Sequence, residues 1–94
     1  MAFTQPKIVT PYGGAINKTL DIANITAQTT LETTVPWPGV EENSIVFARA
    51  DSLTSGLVIL NPCKCTAGNV ILRIANVKTS DVDPASMVFN FIKL

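Results

Sequence analysis

Leu57-Val58-Ile59-Leu60-Asn61-Pro62-Cys63-Lys64-Cys65-Thr66-Ala67-Gly68-Asn69-Val70-Ile71-Leu72-Arg73-Ile74 is the stretch that decides the fold of this chain. Two apolar runs rich in β-branched residues flank Ala67-Gly68-Asn69, which reads as a tight hairpin turn because Gly and Asn tolerate positive φ. The run before the turn, Leu57 to Cys65, is expected to bend or bulge at Asn61-Pro62, since proline has no N–H for a ladder. The run after it, Asn69 to Val77, puts Val70, Leu72 and Ile74 on one face by the period-2 rule. That face is read as inward, with Arg73 in solvent.

Similar segments lie on either side at spacings of roughly 8–16 residues, the spacing of an all-β sandwich or barrel. Gln28 to Val35 alternates, with Thr29, Leu31, Thr33 and Val35 on one face, and Pro36-Trp37-Pro38-Gly39 stops it. Ser44 to Ala50 sets Ile45, Phe47 and Arg49 against Val46, Ala48 and Ala50. Leu20 to Ala27 has no sustained helical period and suits a strand and bend. After the long connection Lys78 to Ser86, Met87 to Leu94 closes the chain with Met87, Phe89 and Phe91 opposite Val88, Ile92 and Leu94. A strand apolar on both faces is unusual in a small sandwich unless something covers its outer side. The expected fold is all-β: a small antiparallel β-sandwich or barrel-like domain over residues 19–94.

Residues 1–18 differ. Pro6, Pro11, Gly13 and Gly14 interrupt regular structure, and Thr10-Pro11-Tyr12-Gly13-Gly14 is turn chemistry. The segment reads as an extended N-terminal arm with Phe3, Ile8, Val9 and Tyr12 as anchors on a neighbour or on a sheet. Its contribution to the core is expected to be small, so that deleting residues 2–16 leaves the sandwich folded.

The chain has 94 residues, enough for one domain, and is 47% hydrophobic with a mean hydropathy of +0.33. That excludes the disordered class. A domain of this size buries about 60–65% of its unfolded surface, and its apolar content is high for so surface-dominated a body. Burial against other chains, as a homotrimer or homodimer, accounts for this better than scattered surface apolars. Seven basic and seven acidic residues cancel and are spread out, so no basic patch for nucleic acid or membrane exists. The first residues lack a secretory n-region and h-region, which points to synthesis in a cytoplasm.

Chemistry fails by inventory. Without histidine, neither a Ser-His-Asp nor a Cys-His arrangement is possible. Glu41-Glu42 reads as a solvated turn, and Asp51, Asp81 and Asp83 as turn formers and caps, too few for the six to eight oxygens of Ca²⁺. Cys63 and Cys65 are spaced at the outer limit for a disulfide within a strand and cannot complete a zinc site, which leaves two small buried thiols. Trp37 between two prolines either anchors a partner or sugar, or folds over the end of the sandwich. Asn17-Lys18-Thr19 and Asn24-Ile25-Thr26 are glycosylation sequons that mean nothing without a secretory route. No catalytic residue, cofactor or metal is expected.

Several pieces together resemble a family of short structural proteins of tailed bacteriophages. They are Ala23-Asn24-Ile25-Thr26-Ala27-Gln28-Thr29-Thr30, Ser44 to Ala48, Ser55-Gly56-Leu57-Val58-Ile59, Thr66 to Val77 and Val82-Asp83-Pro84-Ala85-Ser86. The resemblance covers about three-quarters of the chain. It departs at Cys63-Lys64-Cys65 and at the Pro-Trp-Pro-Gly turn. It implies a virion component, with capsid decoration or cement as its role, on the capsid exterior and with the major capsid protein and further copies of itself as partners. The residues expected at such interfaces are Phe3, Ile8, Val9, Tyr12, Trp37, Val88, Ile92 and Leu94. The alternative is a knob or fibre-tip module that binds a host-surface glycan through Trp37 and the Tyr12 region.

Overall fold

Among residues 14–94, which the computed structural model describes, seven strands form and no helix. They are β1 (Gly14–Leu20), β2 (Thr30–Pro36), β3 (Val46–Ala50), β4 (Leu57–Ile59), β5 (Lys64–Thr66), β6 (Asn69–Asn76) and β7 (Met87–Lys93). Sheet A has the order β1-β7-β3, and sheet B has β2-β6-β4 with β5 also paired to β6. Every pairing is antiparallel. The expected all-β fold of two packed antiparallel sheets is the one observed.

The core lies between the two central strands. On β6, Val70, Leu72 and Ile74 are fully buried, and on β7 Met87, Phe89 and Phe91 are buried, so both strands point their inner faces into the same cluster. The Phe89 and Phe91 rings lie 6.4 Å apart and tilted, within the range of favourable aromatic pairs. Val35 of β2, Val46 and Ala48 of β3, Leu57 of β4 and Cys65 of β5 complete the cluster. Each fully buried large side chain contributes about 1.5–3 kcal/mol relative to exposure. The inward placement of the alternate residues of β6 therefore follows from the pleat. Arg73 differs from its expected place in solvent. It is half-buried, with its Nε enclosed and without a hydrogen-bond partner. The cause is its position on the central strand of sheet B, where neighbours on both sides cover a long side chain.

Three further expectations shift. The run Leu57 to Cys65 is two short strands, β4 and β5, separated at the cis Asn61–Pro62 bond. In the Ala67-Gly68 turn only Gly68 takes positive φ (78°), while Asn69 already belongs to β6. Leu20 to Ala27 leaves β1 and becomes an irregular connection. Ile22 and Ile25 of that connection are buried, and it is tied to the next long loop by the Ile25–Val82 bridge.

The domain also starts earlier than residue 19. Gly14 to Leu20 pairs with β7 along its whole length, from Gly14 opposite Lys93 to Leu20 opposite Met87, and Ile16 and Leu20 pack on the core. Thus residues 14–18 of the expected arm are an integral edge strand, because two apolar side chains spaced four apart reach the inner face. A deletion reaching residue 16 cuts into the domain. Residues 1–13, with Phe3, Ile8, Val9 and Tyr12, lie outside the described residues.

Two asparagine side chains do work that strand pairing does not. The Asn76 amide is buried and fully partnered. Its Nδ2 donates to the carbonyls of Ile25 (2.9 Å) and Ser80 (3.0 Å), and its Oδ1 accepts from Lys78 N–H at 2.9 Å. It therefore fixes both long connections to the end of β6. Asn61 acts on the free edge of β3 as a substitute peptide group. It accepts from Ala48 N–H and donates to Ala48 C=O, both at 2.9 Å, while Cys63 N–H donates to Val46 C=O at 2.8 Å. The link between β4 and β5 thus covers the β3 edge, a protection that edge strands commonly need.

Replacing Asn76 by Ala leaves Ser80 C=O and Lys78 N–H without this partner, while Ile25 C=O keeps Val82 N–H, and lowers stability by about 1–3 kcal/mol in urea unfolding. Asn61→Ala, at a more exposed site, lowers it by about 1–2 kcal/mol. Extending an N-terminal deletion from residues 2–13 to residues 2–16 removes Ile16 and part of the β1–β7 ladder. The longer deletion is less stable than the shorter by about 1–3 kcal/mol in the same measurement.

Candidate functional site

The outer face of sheet A is built in rows, because residues directly opposite one another on neighbouring strands share a side. Ala15, Ile92 and Phe47 form one outward row, and Asn17, Asn90 and Arg49 form the next. Thr19 stands beside Val88 in a third. Beyond the first row, Leu94 N–H donates to Ile45 C=O at 2.9 Å, so the ladder continues and Leu94 stands opposite Ile45. The exposed fractions are Ile45 49%, Leu94 49%, Phe47 43%, Ile92 41% and Val88 37%. Four of these five side chains gather at one end of the face.

The rest of the face is polar. Asn90 Nδ2 donates to Asp51 Oδ1, and Arg49 stands 4.0 Å from the same oxygen. Both ions are well exposed, so their pairing contributes little to stability and leaves Arg49 available to a partner. The outer face of sheet B is different in character. It carries Thr30, Glu32, Thr34, Lys64 and Arg73 beside Ile71, Ala75 and the exposed Val58. Leu53 and Val77 are exposed singly, as scattered surface apolars normally are.

Of the residues expected at interfaces, Val88, Ile92 and Leu94 share the outer face of sheet A. Trp37 does not join them. It is half-buried against the core, and a Cβ placed on Gly14 would meet its Cζ2 at 3.4 Å. The Trp37 backbone N–H donates to Gly68 C=O at 2.9 Å, which docks the Pro36-Trp37-Pro38-Gly39 turn on the β5–β6 turn. The indole thus closes one end of the sandwich, as the fold-over reading describes. Ile45 and Phe47 were missing from the expected site. Strand alternation had placed them on one face with Arg49, but only the pairing with β7 puts them beside Ile92 and Leu94.

The remaining polar groups have local tasks. Glu41 N–H donates to Ser44 Oγ at 2.9 Å. Asp81 accepts from Ala27 N–H at 3.0 Å and from Asn24 Nδ2 at 3.4 Å, holding the two long connections together. Among the described residues no three His, Cys, Asp or Glu side chains converge for a metal, and no cavity is present. No helix among them is long and apolar enough to cross a membrane.

Cys63 and Cys65 are free and buried. They do not occupy equivalent positions of one strand, because Cys65 lies in β5 while Cys63 bonds across to β3. Burial, reinforced by the neighbouring Cys65 and opposed by Arg73, pushes the Cys63 thiol up from 9.0 to about 11. Burial also raises Cys65. Neither is an activated nucleophile, since the thiolate is the disfavoured form of both.

The chain matches no known protein family, no curated protein and no solved structure.

The raised Cys63 thiol has a sign that can be checked. Between pH 9 and 11 the unfolded chain gives up this proton while the folded chain keeps it, so unfolding is favoured as pH rises. The contribution of this group is fully present below pH 9 and is lost on approaching pH 11. Urea unfolding of the wild type is expected to show this loss, and Cys63→Ala to show a flatter profile over the same interval.

Proposed function

We propose that this chain is a structural protein of a bacteriophage particle, a decoration or cement subunit that binds the exterior of the capsid shell. The phage assignment rests on the resemblance of residues 23–94 to short phage structural proteins. The observation that carries the docking role is the cluster of Ile45, Phe47, Ile92 and Leu94 exposed at one end of sheet A. Phe47 and Ile92 stand on paired strands and Ile45 and Leu94 are joined to each other by one backbone hydrogen bond just beyond them, so little ordering entropy is lost when they are covered. Val88, Asn90 and Arg49 continue the face and supply a polar rim, the usual anatomy of a protein–protein contact. The major capsid protein is the proposed partner, together with further copies of the chain as a homotrimer or homodimer.

Stabilisation then works by mass action. A subunit that contacts several shell proteins at once gains avidity from each added contact, and whatever binds only the assembled shell stabilises it. The glycan-binding alternative is not proposed, because Trp37 lies against the core and offers no freely exposed indole for a sugar to stack on.

Purified particles are expected to contain this chain at hundreds of copies by gel densitometry. A few dozen copies or fewer would point to a tip or fibre, and none would end the proposal. Phe47→Asp and Ile92→Asp are expected to keep the β-sheet circular dichroism of the wild type, since both side chains are exposed. Each should weaken binding to isolated shells at least tenfold, about 1.4 kcal/mol.

A further inference from the structure

Among the described residues, sheet A ends on one flank in unpaired backbone groups. Asp51 N–H donates to Val88 C=O and Leu94 N–H to Ile45 C=O. On β7 the backbone groups of Val88, Asn90 and Ile92 therefore face β3, and those of Met87, Phe89, Phe91 and Lys93 face β1. By register the latter meet Gly14, Ile16, Lys18 and Leu20, which leaves the N–H and C=O groups of Ala15, Asn17 and Thr19 directed away from the sheet. We propose that this edge pairs with its counterpart on a second copy of the chain, β1 antiparallel to β1, about a two-fold axis that passes between the two Asn17 residues.

The other edges are each blunted. Asn61 covers that of β3. On β2, Asn76 N–H donates to Thr29 C=O and Trp37 N–H to Gly68 C=O, so the outward backbone groups belong to Thr30, Glu32, Thr34 and Pro36. Pro36 has no N–H to offer, and Glu32 is charged. Strands β4 and β5 have three residues each. Short strands, prolines, charges and a covering link are the usual protections of a sheet edge. Strand β1 is seven residues long, carries no proline, and sets Ala15, Asn17 and Thr19 along its rim. Its inner face is incompletely covered as well. Ile16 and Leu20 pack on the core yet remain half-exposed. A second copy paired to β1 satisfies the backbone groups and covers these side chains.

The residues of β1 select the register. With Asn17 opposite Asn17, Ala15 stands opposite the partner's Thr19 and Thr19 opposite the partner's Ala15, and each pair exchanges both N–H···O bonds. A slip by two residues in either direction leaves Ala15 or Thr19 with no strand residue opposite, and one of the two slips sets Lys18 directly against Lys18. In the favoured register Lys18 stands opposite the partner's Ile16, and its aliphatic stem covers that half-exposed side chain while the ammonium stays in water. The outer face is extended by the same geometry. The row of Phe47, Ile92 and Ala15 runs on through the partner's Thr19 to the partner's Val88. The paired edge is separate from the outer face, which stays open to a shell protein, and the pairing holds whether or not this chain decorates one.

One strand pair buries less than the roughly 800 Å² per partner of a stable interface, so the dimer forms reversibly. Sedimentation equilibrium of the full chain is expected to show monomer and dimer alone, with Kd below about 1 mM. Asn17→Pro removes the N–H donors at the two-fold axis but no bond within the chain, since a proline whose nitrogen faces outward is tolerated on an edge strand. It is expected to raise Kd at least tenfold with unchanged circular dichroism, whereas Phe47→Asp leaves Kd as it is. Asn17→Cys tests the register without a change of backbone. Cα atoms about 5.5 Å apart in such a pair lie within disulfide range, so mild oxidation is expected to yield a covalent dimer. Lys18→Cys and the wild type, whose Cys63 and Cys65 are buried, are expected to yield none. A chain still monomeric at about 1 mM, a trimer, or a dimer lost with Phe47→Asp and kept with Asn17→Pro would overturn the proposal. Amides of Ala15, Asn17 and Thr19 already protected from exchange in dilute monomer would overturn it too, because their edge would then be paired within one chain.

Discussion

The architecture depends on one contact, that of the inner face of β6 with the inner face of β7. These are the two strands with neighbours on both sides, and each points three large apolar side chains at the other. Val70, Leu72 and Ile74 cannot leave water without Met87, Phe89 and Phe91, and the converse holds equally. Register follows from the same demand. A slip of one residue would turn Phe89 and Phe91 outward and bring Asn90 and Ile92 in. Everything else hangs on the flanks of these two strands. In so small a domain there is no second core to compensate for a lost one.

The side chains that finish the structure are polar. Hydrophobic contact is non-directional, so the inner faces alone do not fix the path of the connections. Asn76 does so for two of them at one end of β6, with all its hydrogen-bonding groups near it satisfied by backbone. Asn61 does so for the β4–β5 link. Both use an amide because it offers a donor and an acceptor in the geometry of a peptide group. A carboxylate in either place would offer acceptors alone and would leave a carbonyl facing a carbonyl-like oxygen.

How much of this could be read from the residues depended on whether the information was periodic. The inward set of β6 followed from alternation, whereas for β2, β3 and β7 alternation sorted the residues into faces and the packing of the sheets decided which face is buried. The strand β1 was read as arm because Pro6, Pro11, Gly13 and Gly14 interrupt regular structure up to its first residue. By register Lys18 stands on the inner side, opposite Phe89, yet it reaches solvent because β1 is an edge strand. The roles of Asn61 and Asn76 were not legible, since an asparagine near proline or at the end of an apolar run reads as a turn former. The site was half legible. The outer face of the last strand stood out by composition, whereas Ile45 and Phe47 joined it only through pairing between strands distant in sequence.

The amide of Asn61 on the flank of β3 has a consequence for how copies of this chain can aggregate. Ala48 is engaged by Asn61, so the ladder register leaves Ala15, Asn17 and Thr19 of β1 as the residues whose backbone groups point away from sheet A. Among the described residues the sheet has one sealed flank and one open flank. A ribbon or fibril that grows by edge pairing needs both, because each added sheet must present a new template to the next. With one flank sealed, pairing through sheet A ends after a single event, β1 against β1, in a two-fold dimer that closes on itself. The chain is rich in β-branched and aromatic residues, yet along this sheet its self-association is limited by geometry to a finite number of copies.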